Sequence, residues 1–126
     1  MQRCLRITTE ELNLVAELTE TPSAEALWDA LPLQAQAHRW GDELYFTVPF
    51  QTPLENEARE IVQEGDIAYW PEGPALCFFF GPTPVSRPGE IRAAAAVNIC
   101  GHIHGNSNAL KEVADQTIIS LTRDDT

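Results

Sequence analysis

Positive charge is the scarcest commodity in this chain of 126 residues: 8 lysines and arginines stand against 19 aspartates and glutamates, a formal net charge of −11. Nucleic-acid affinity begins with cations on phosphates, so that balance excludes a nucleic-acid partner, and anionic membranes are disfavoured for the same reason. Cysteine is also sparse. Cys4, Cys77 and Cys100 are odd in number, far apart and free of any CxxC pair, which points to reduced thiols in a cytoplasmic protein rather than to a disulfide framework. No apolar run reaches the length that spans a bilayer, and MQRCLRITTEELNL has no apolar core of the kind a secretion signal needs. Neither an internal repeat nor a GxSxG, GxGxxG, HExxH or phosphate-binding loop occurs, so no cofactor is expected.

What is present suits one globular domain over residues 1–126, with 44% hydrophobic and 21% charged residues and enough length to close a core without staples. Apolar residues alternate from Arg3 to Thr8 and from Leu12 to Leu18, with Glu10 and Glu11 between them, which predicts two strands and a tight turn. TPSAEALWDALP changes period: Thr21 caps a helix, Pro22 opens it, and Ala24, Leu27, Trp28 and Leu31 form its stripe before Pro32. LQAQAHRWGDELYFTV is a hairpin about Gly41-Asp42, pairing Trp40 with Glu43, Arg39 with Leu44 and His38 with Tyr45. Leu33, Ala35, Ala37, Leu44, Phe46 and Val48 then share the core face, and His38, Trp40, Glu43 and Tyr45 share the other.

Residues 49–64 read as a long polar excursion with one helical turn around Glu57 to Ile61. DIAYW and ALCFFF follow, joined by the four-residue turn Pro71-Glu72-Gly73-Pro74. That register sends Ile67, Tyr69, Leu76, Phe78 and Phe80 inward and leaves Trp70, Cys77 and Phe79 outside. A segment apolar on both faces must be covered on both sides, here by the helix carrying Trp28 or by a ligand. GPTPVSRPGEIR is an irregular surface loop, AAAAVNICGHI a buried strand, NSNALKEVAD a short helix and TIISLTR the last strand of the sheet. About eight short strands with frequent turns indicate an all-β barrel or sandwich.

RWGDELYF, GDIAYWP with FFGPTPVS after it, and then VNICGHI resemble, in order and spacing, the small prokaryotic cyclophilin-like domain family, whose members are largely of unknown function. The resemblance runs from Arg3 to about Arg123. It implies a closed eight-stranded antiparallel barrel with one or two short flanking helices. True cyclophilins of this fold are peptidyl-prolyl isomerases, but their FHRxxxxFMxQGG signature has no counterpart here: HRWGDELYF supplies His38 and Arg39, and no glutamine or paired glycines follow. Shared fold does not carry shared chemistry.

The residues therefore point first to a module that binds a small metabolite or short peptide in an aromatic-lined cleft built from Arg39, Trp40, Tyr45, Tyr69, Trp70, Phe80, Thr83 and Ser86. A second reading is prolyl isomerisation with Arg39 polarising the amide, and Glu43 and His38 are further candidates for acid–base work. A third is a homo-oligomer built through exposed aromatics. Cys100, His102 and His104 alternate along a strand as metal ligands would. Side chains about 7 Å apart on a straight strand cannot converge on one ion, so no metal is expected without a bend at Gly101 or Gly105. Cys77 and Cys100 lie in apolar strands, where burial suppresses thiolate formation, and read as inert.

Overall fold

The computed structural model describes residues 3–124 and is built around one large antiparallel sheet. β1 (Cys4–Thr8) and β2 (Asn13–Leu18) form the first hairpin, and α1 (Pro22–Ala30) follows. Thr21 Oγ1 accepts from the Ala24 amide and Pro22 occupies the first helical turn, as the sequence requires. β3 (Leu33–Gln36), β4 (His38–Arg39) and β5 (Glu43–Thr47) come next, then β6 (Arg59–Val62), β7 (Asp66–Trp70), β8 (Ala75–Phe79) and the 13-residue β9 (Ile91–Ile103). A 3₁₀ turn at Ser107–Glu112 leads to β10 (Ile118–Arg123). Among the described residues no helix is long and apolar enough to cross a membrane.

The expectation of a closed eight-stranded barrel is not met. Among the described residues there are ten strands, and the ladder runs β3-β10-β1-β2-β9-β7-β8-β5-β4 with β6 added to β9, without returning to its start. The cause lies at Ala37. Leu33 to Gln36 spend their hydrogen bonds on β10, while His38 and Arg39 turn to β5, so one segment changes partner and splits in two. The Ala37 amide and carbonyl are taken by Thr117 and Gln116. β3 and β5 consequently share no ladder, and a groove of about 300 Å³ separates them, lined by Leu33, Ala35, Phe46 and Val48 among others. The two ends of the ladder are joined through the chain rather than by hydrogen bonds, and Leu33 and Ala35 are only half-buried.

Local registers agree with the sequence. His38 faces Tyr45, Arg39 faces Leu44, and Trp40 and Glu43 exchange backbone hydrogen bonds across the Gly41-Asp42 turn. Gly41 has a φ of +62°, and a Cβ there would stand 2.8 Å from Pro84 Cδ, so glycine permits both the turn and its seating against the 81–84 loop. β7 and β8 pair Trp70 with Ala75 and Ile67 with Phe78, which places Ile67, Tyr69, Leu76, Phe78 and Phe80, all fully buried, on the inner face. They pack with Leu5, Ile7, Leu27, Leu44, Phe46, Leu110 and Leu121 into the main core.

The outer face of β7 and β8 has a different cover from the one expected. Trp28 lies elsewhere, its ring beneath the guanidinium groups of Arg3 and Arg123. Instead, β9 is long enough to serve two sheets: its second half pairs with β7 and β2, and its first half bends away to pair with β6. That ribbon lays Val62, Ala93 and Val97 over Ala68, Cys77 and Phe79 as a second, smaller core. The helical turn expected around Glu57 to Ile61 is thus strand β6, because the open edge of β9 offers a ladder that local propensity does not reveal. The preceding polar segment is pinned by Glu55, whose carboxylate accepts from both the amide and the hydroxyl of Ser23 at the start of α1. Asn98 donates to Ser23 Oγ and accepts from the Glu55 amide.

Candidate functional site

The hairpin, the aromatic strand pair and the bent ribbon leave one cavity between them, about 200 Å³, on the outside of the main sheet. Trp40, Glu43 and Tyr45 from the β4–β5 hairpin form one wall, and Trp70, Cys77 and Phe79 form the back. Ala93, Ala94, Ala95 and Val97 close it from β9. The space exists because β9 carries alanines opposite four aromatic rings; larger side chains there would fill it. None of the lining residues is a cation.

Glu43 is the chemical centre of this cavity. It is only 6% exposed, and burial pushes its carboxyl up to about 7, with the Cys77 thiol donating a hydrogen bond that works in the opposite direction. Glu43 Oε1 nevertheless has no hydrogen-bond partner, and neither has the indole nitrogen of Trp70. Buried polar atoms are ordinarily paired; these two belong to residues that line the cavity, but are themselves sealed from it. The Cys77 thiol is held far above its usual range by burial and by the neighbouring Glu43, which keeps it protonated and unreactive.

Four residues that the sequence assigned to the outer hairpin face or the cleft, Trp40, Glu43, Tyr45 and Trp70, are brought together here. The others are placed elsewhere. His38 lies against Tyr45 with ring centroids 5.4 Å apart, on the exposed side. Arg39 lies on the opposite face of the hairpin: its guanidinium donates to the carbonyls of Gly41, Lys111 and Val113 and to Asp42, and covers the Phe80 ring at 5.1 Å. It fastens the 3₁₀ turn to the hairpin. Tyr69 is inside, its hydroxyl donating to the Phe50 carbonyl and accepting from the Thr52 amide, and Phe80 is core. Thr83 and Ser86 brace their own loop: Ser86 Oγ accepts from the amides of Thr83 and Arg92, and Thr83 Oγ1 donates to the Arg92 carbonyl.

Cys100, His102 and His104 do not share a face. A bulge in β9, where Ile67 pairs with Gly101 but Ala68 with Ile99, turns Cys100 into the main core beside Ile103 and leaves both histidines outside. His102 Nδ1 meets Asp66 at 3.1 Å and His104 Nε2 meets Glu17 at 3.1 Å, so each histidine has its own carboxylate. Sequence reasoning missed Ala93 to Ala95 as site residues and Cys77 as the partner of Glu43. A run of four alanines opposite an aromatic strand was the available signal.

Known proteins can be set beside this geometry. A family model described as cyclophilin-like matches residues 3–122. The solution structure of a hypothetical protein from Archaeoglobus fulgidus is 41% identical and superposes with a TM-score of 0.81, covering 98% of this chain and 95% of that one. Among curated proteins none matches.

Proposed function

The chain belongs to the cyclophilin-like family, and from the cavity on its outer face we propose that it binds a small molecule between the hairpin and the alanine stretch of β9. The observation that carries this reading is a small aromatic-walled space with one buried carboxylic acid, Glu43, among its lining residues. Ligand pockets are mostly apolar with a few placed polar groups, and this one has that composition. The thiol on the lining, Cys77, is held protonated by burial and by Glu43, which supports a reading of binding.

Prolyl isomerisation has less behind it. The arginine that would polarise the amide already donates to four acceptors of its own fold, away from the cavity. Assembly through exposed aromatics also lacks support, since Trp40 and Trp70 are half-buried along the cavity.

A ligand-observed NMR screen with a fragment library tests the proposal, with Ala95→Leu as the blocked control. Fragments that bind the wild type and are lost in the variant support it; fragments that bind both equally, or none at all, overturn it.

A further inference from the structure

The shape of the cavity follows from which side chains share a row on the sheet. Tyr45, Cys77 and Ala68 lie opposite one another on β5, β8 and β7, flanked by a row holding Glu43 and Phe79 and by another holding Ala75 and Trp70. Rows on one face repeat about every 7 Å, so the two small residues of the middle row leave a hollow with a large ring on either side. Tyr45 stands at one end, Trp40 lies on the hairpin wall, and the alanines of β9 cross over the top. The result is a small chamber bounded by four aromatic residues, with one acid, Glu43, and no cation on its lining. Glu43 Oε1 and Trp70 Nε1 are sealed, so neither serves as a hydrogen-bonding partner for a ligand.

A buried carboxylate with no cation beside it is unfavourable, and this one escapes the penalty by holding a proton up to about pH 7. A cation in the adjoining chamber stabilises the ionised form through a low-dielectric wall, without contact, and the faces of aromatic rings attract it as well. We infer that the chamber takes a small quaternary ammonium ion, its methyl groups against the rings of Trp40, Tyr45, Trp70 and Phe79 and its charge offset by ionised Glu43. This inference rests on the small-molecule reading of the same cavity and adds the charge and substitution of the ligand. A primary ammonium brings three N–H donors that an aromatic and aliphatic lining leaves unpaired, whereas a fully methylated nitrogen brings none. Anions are opposed by Glu43, by the lack of a cation on the lining and by the net charge of −11. About 200 Å³ accommodates a free ion of the size of choline.

The test uses the whole protein and two probes of one shape, choline and its uncharged isostere in which a tert-butyl group replaces the trimethylammonium, in ligand-observed NMR titrations. At pH 8, where Glu43 is ionised, choline should bind about tenfold more tightly than the isostere, as a desolvated cation on aromatic rings implies. The ratio should shrink as pH falls through 7 and Glu43 takes up its proton. Cys77, held protonated, and Tyr45 are the other titratable groups on the lining; β9 supplies none there, and Asp42, next in the chain, is paired with Arg39. Glu43→Gln should therefore lower the ratio at pH 8 and abolish its pH dependence. Equal binding of choline and the isostere at pH 8 overturns the charge inference and leaves the small-molecule reading intact, as does failure of both probes while fragments bind. Ethanolamine matching choline, or a trimethyllysine peptide exceeding it, overturns the assignment to a free quaternary ion. Failure of the probes and of the fragment library alike overturns both readings. The wild-type ratio and its pH profile decide the matter even where a variant fails to fold.

Discussion

The strands β7 and β8 present two apolar faces, and the two cores built on them differ in finish. On the inner face every large side chain is buried, and the one polar ring, Tyr69, has its hydroxyl both donating and accepting. Beside it, Ser23, Glu55 and Asn98 satisfy one another in a closed network. On the outer face the cover is a ribbon with alanines at the crossing, and there Glu43 and Trp70, both on the lining of a cavity, each keep one buried polar atom unpaired. Packing density and polar satisfaction thus serve stability on one side, and are relaxed on the other where a binding site can form.

Substitutions can break that contrast, and the largest effect belongs to the inner face. Phe78→Ala should destabilise the protein by about 3–5 kcal/mol in urea denaturation, because the hole is surrounded by buried side chains that relax only in part. Smaller, and of opposite sign, is the outer-face substitution Glu43→Gln. The folded carboxyl titrates near 7 against an ordinary 4.5, so the folded state holds its proton more firmly than the unfolded state does. Stability from this group is therefore complete below pH 4.5 and falls as pH rises to 7. By pH 8 the loss is on the order of 3 kcal/mol, because moving a titration midpoint by one pH unit corresponds to about 1.36 kcal/mol. Glutamine resembles the neutral acid, so the variant should lack this fall, and the difference between the two proteins should grow from pH 4.5 to about 8. Equal slopes across that window would show that Glu43 is not desolvated.

Tyr69→Phe sharpens the comparison further. It removes one hydroxyl that anchors Phe50 and Thr52 and should cost roughly 1–2 kcal/mol, with the earliest loss of amide protection in residues 49–55. The smallest effect is expected for Trp70→Phe, within about 0.5 kcal/mol of the wild type in stability, because the indole N–H it removes has no partner to lose. A large destabilisation in that variant would reveal a native partner and close the case for an open site.

Much of this arrangement was legible in the residues. The Gly41-Asp42 turn dictated which side chains of the hairpin face outward, and that put Trp40, Glu43 and Tyr45 on one surface. Alternation in DIAYW and ALCFFF separated Tyr69 from Trp70 to opposite sides of the wall, although the cleft drawn from sequence mixed residues of both. Arg39 was misleading because its position on a strand does not reveal the carbonyls of Lys111 and Val113, more than 70 positions away, that hold it. The ladder from Arg59 to Val62 was hidden for the same reason: its pairing strand lies about 30 residues downstream.

What the sequence determined by itself was local: turn chemistry, the cap of α1, and the two-residue period that assigns each side chain a face, all set by neighbours a few bonds away. Tertiary structure alone decided the switch of partners at Ala37, the bend that lets β9 serve two sheets, and the burial that lifts Glu43. The physical reason is that hydrogen-bond partners and desolvation depend on what packs from a distance, and a carboxylate on a strand reads the same whether water or an alanine ribbon lies over it.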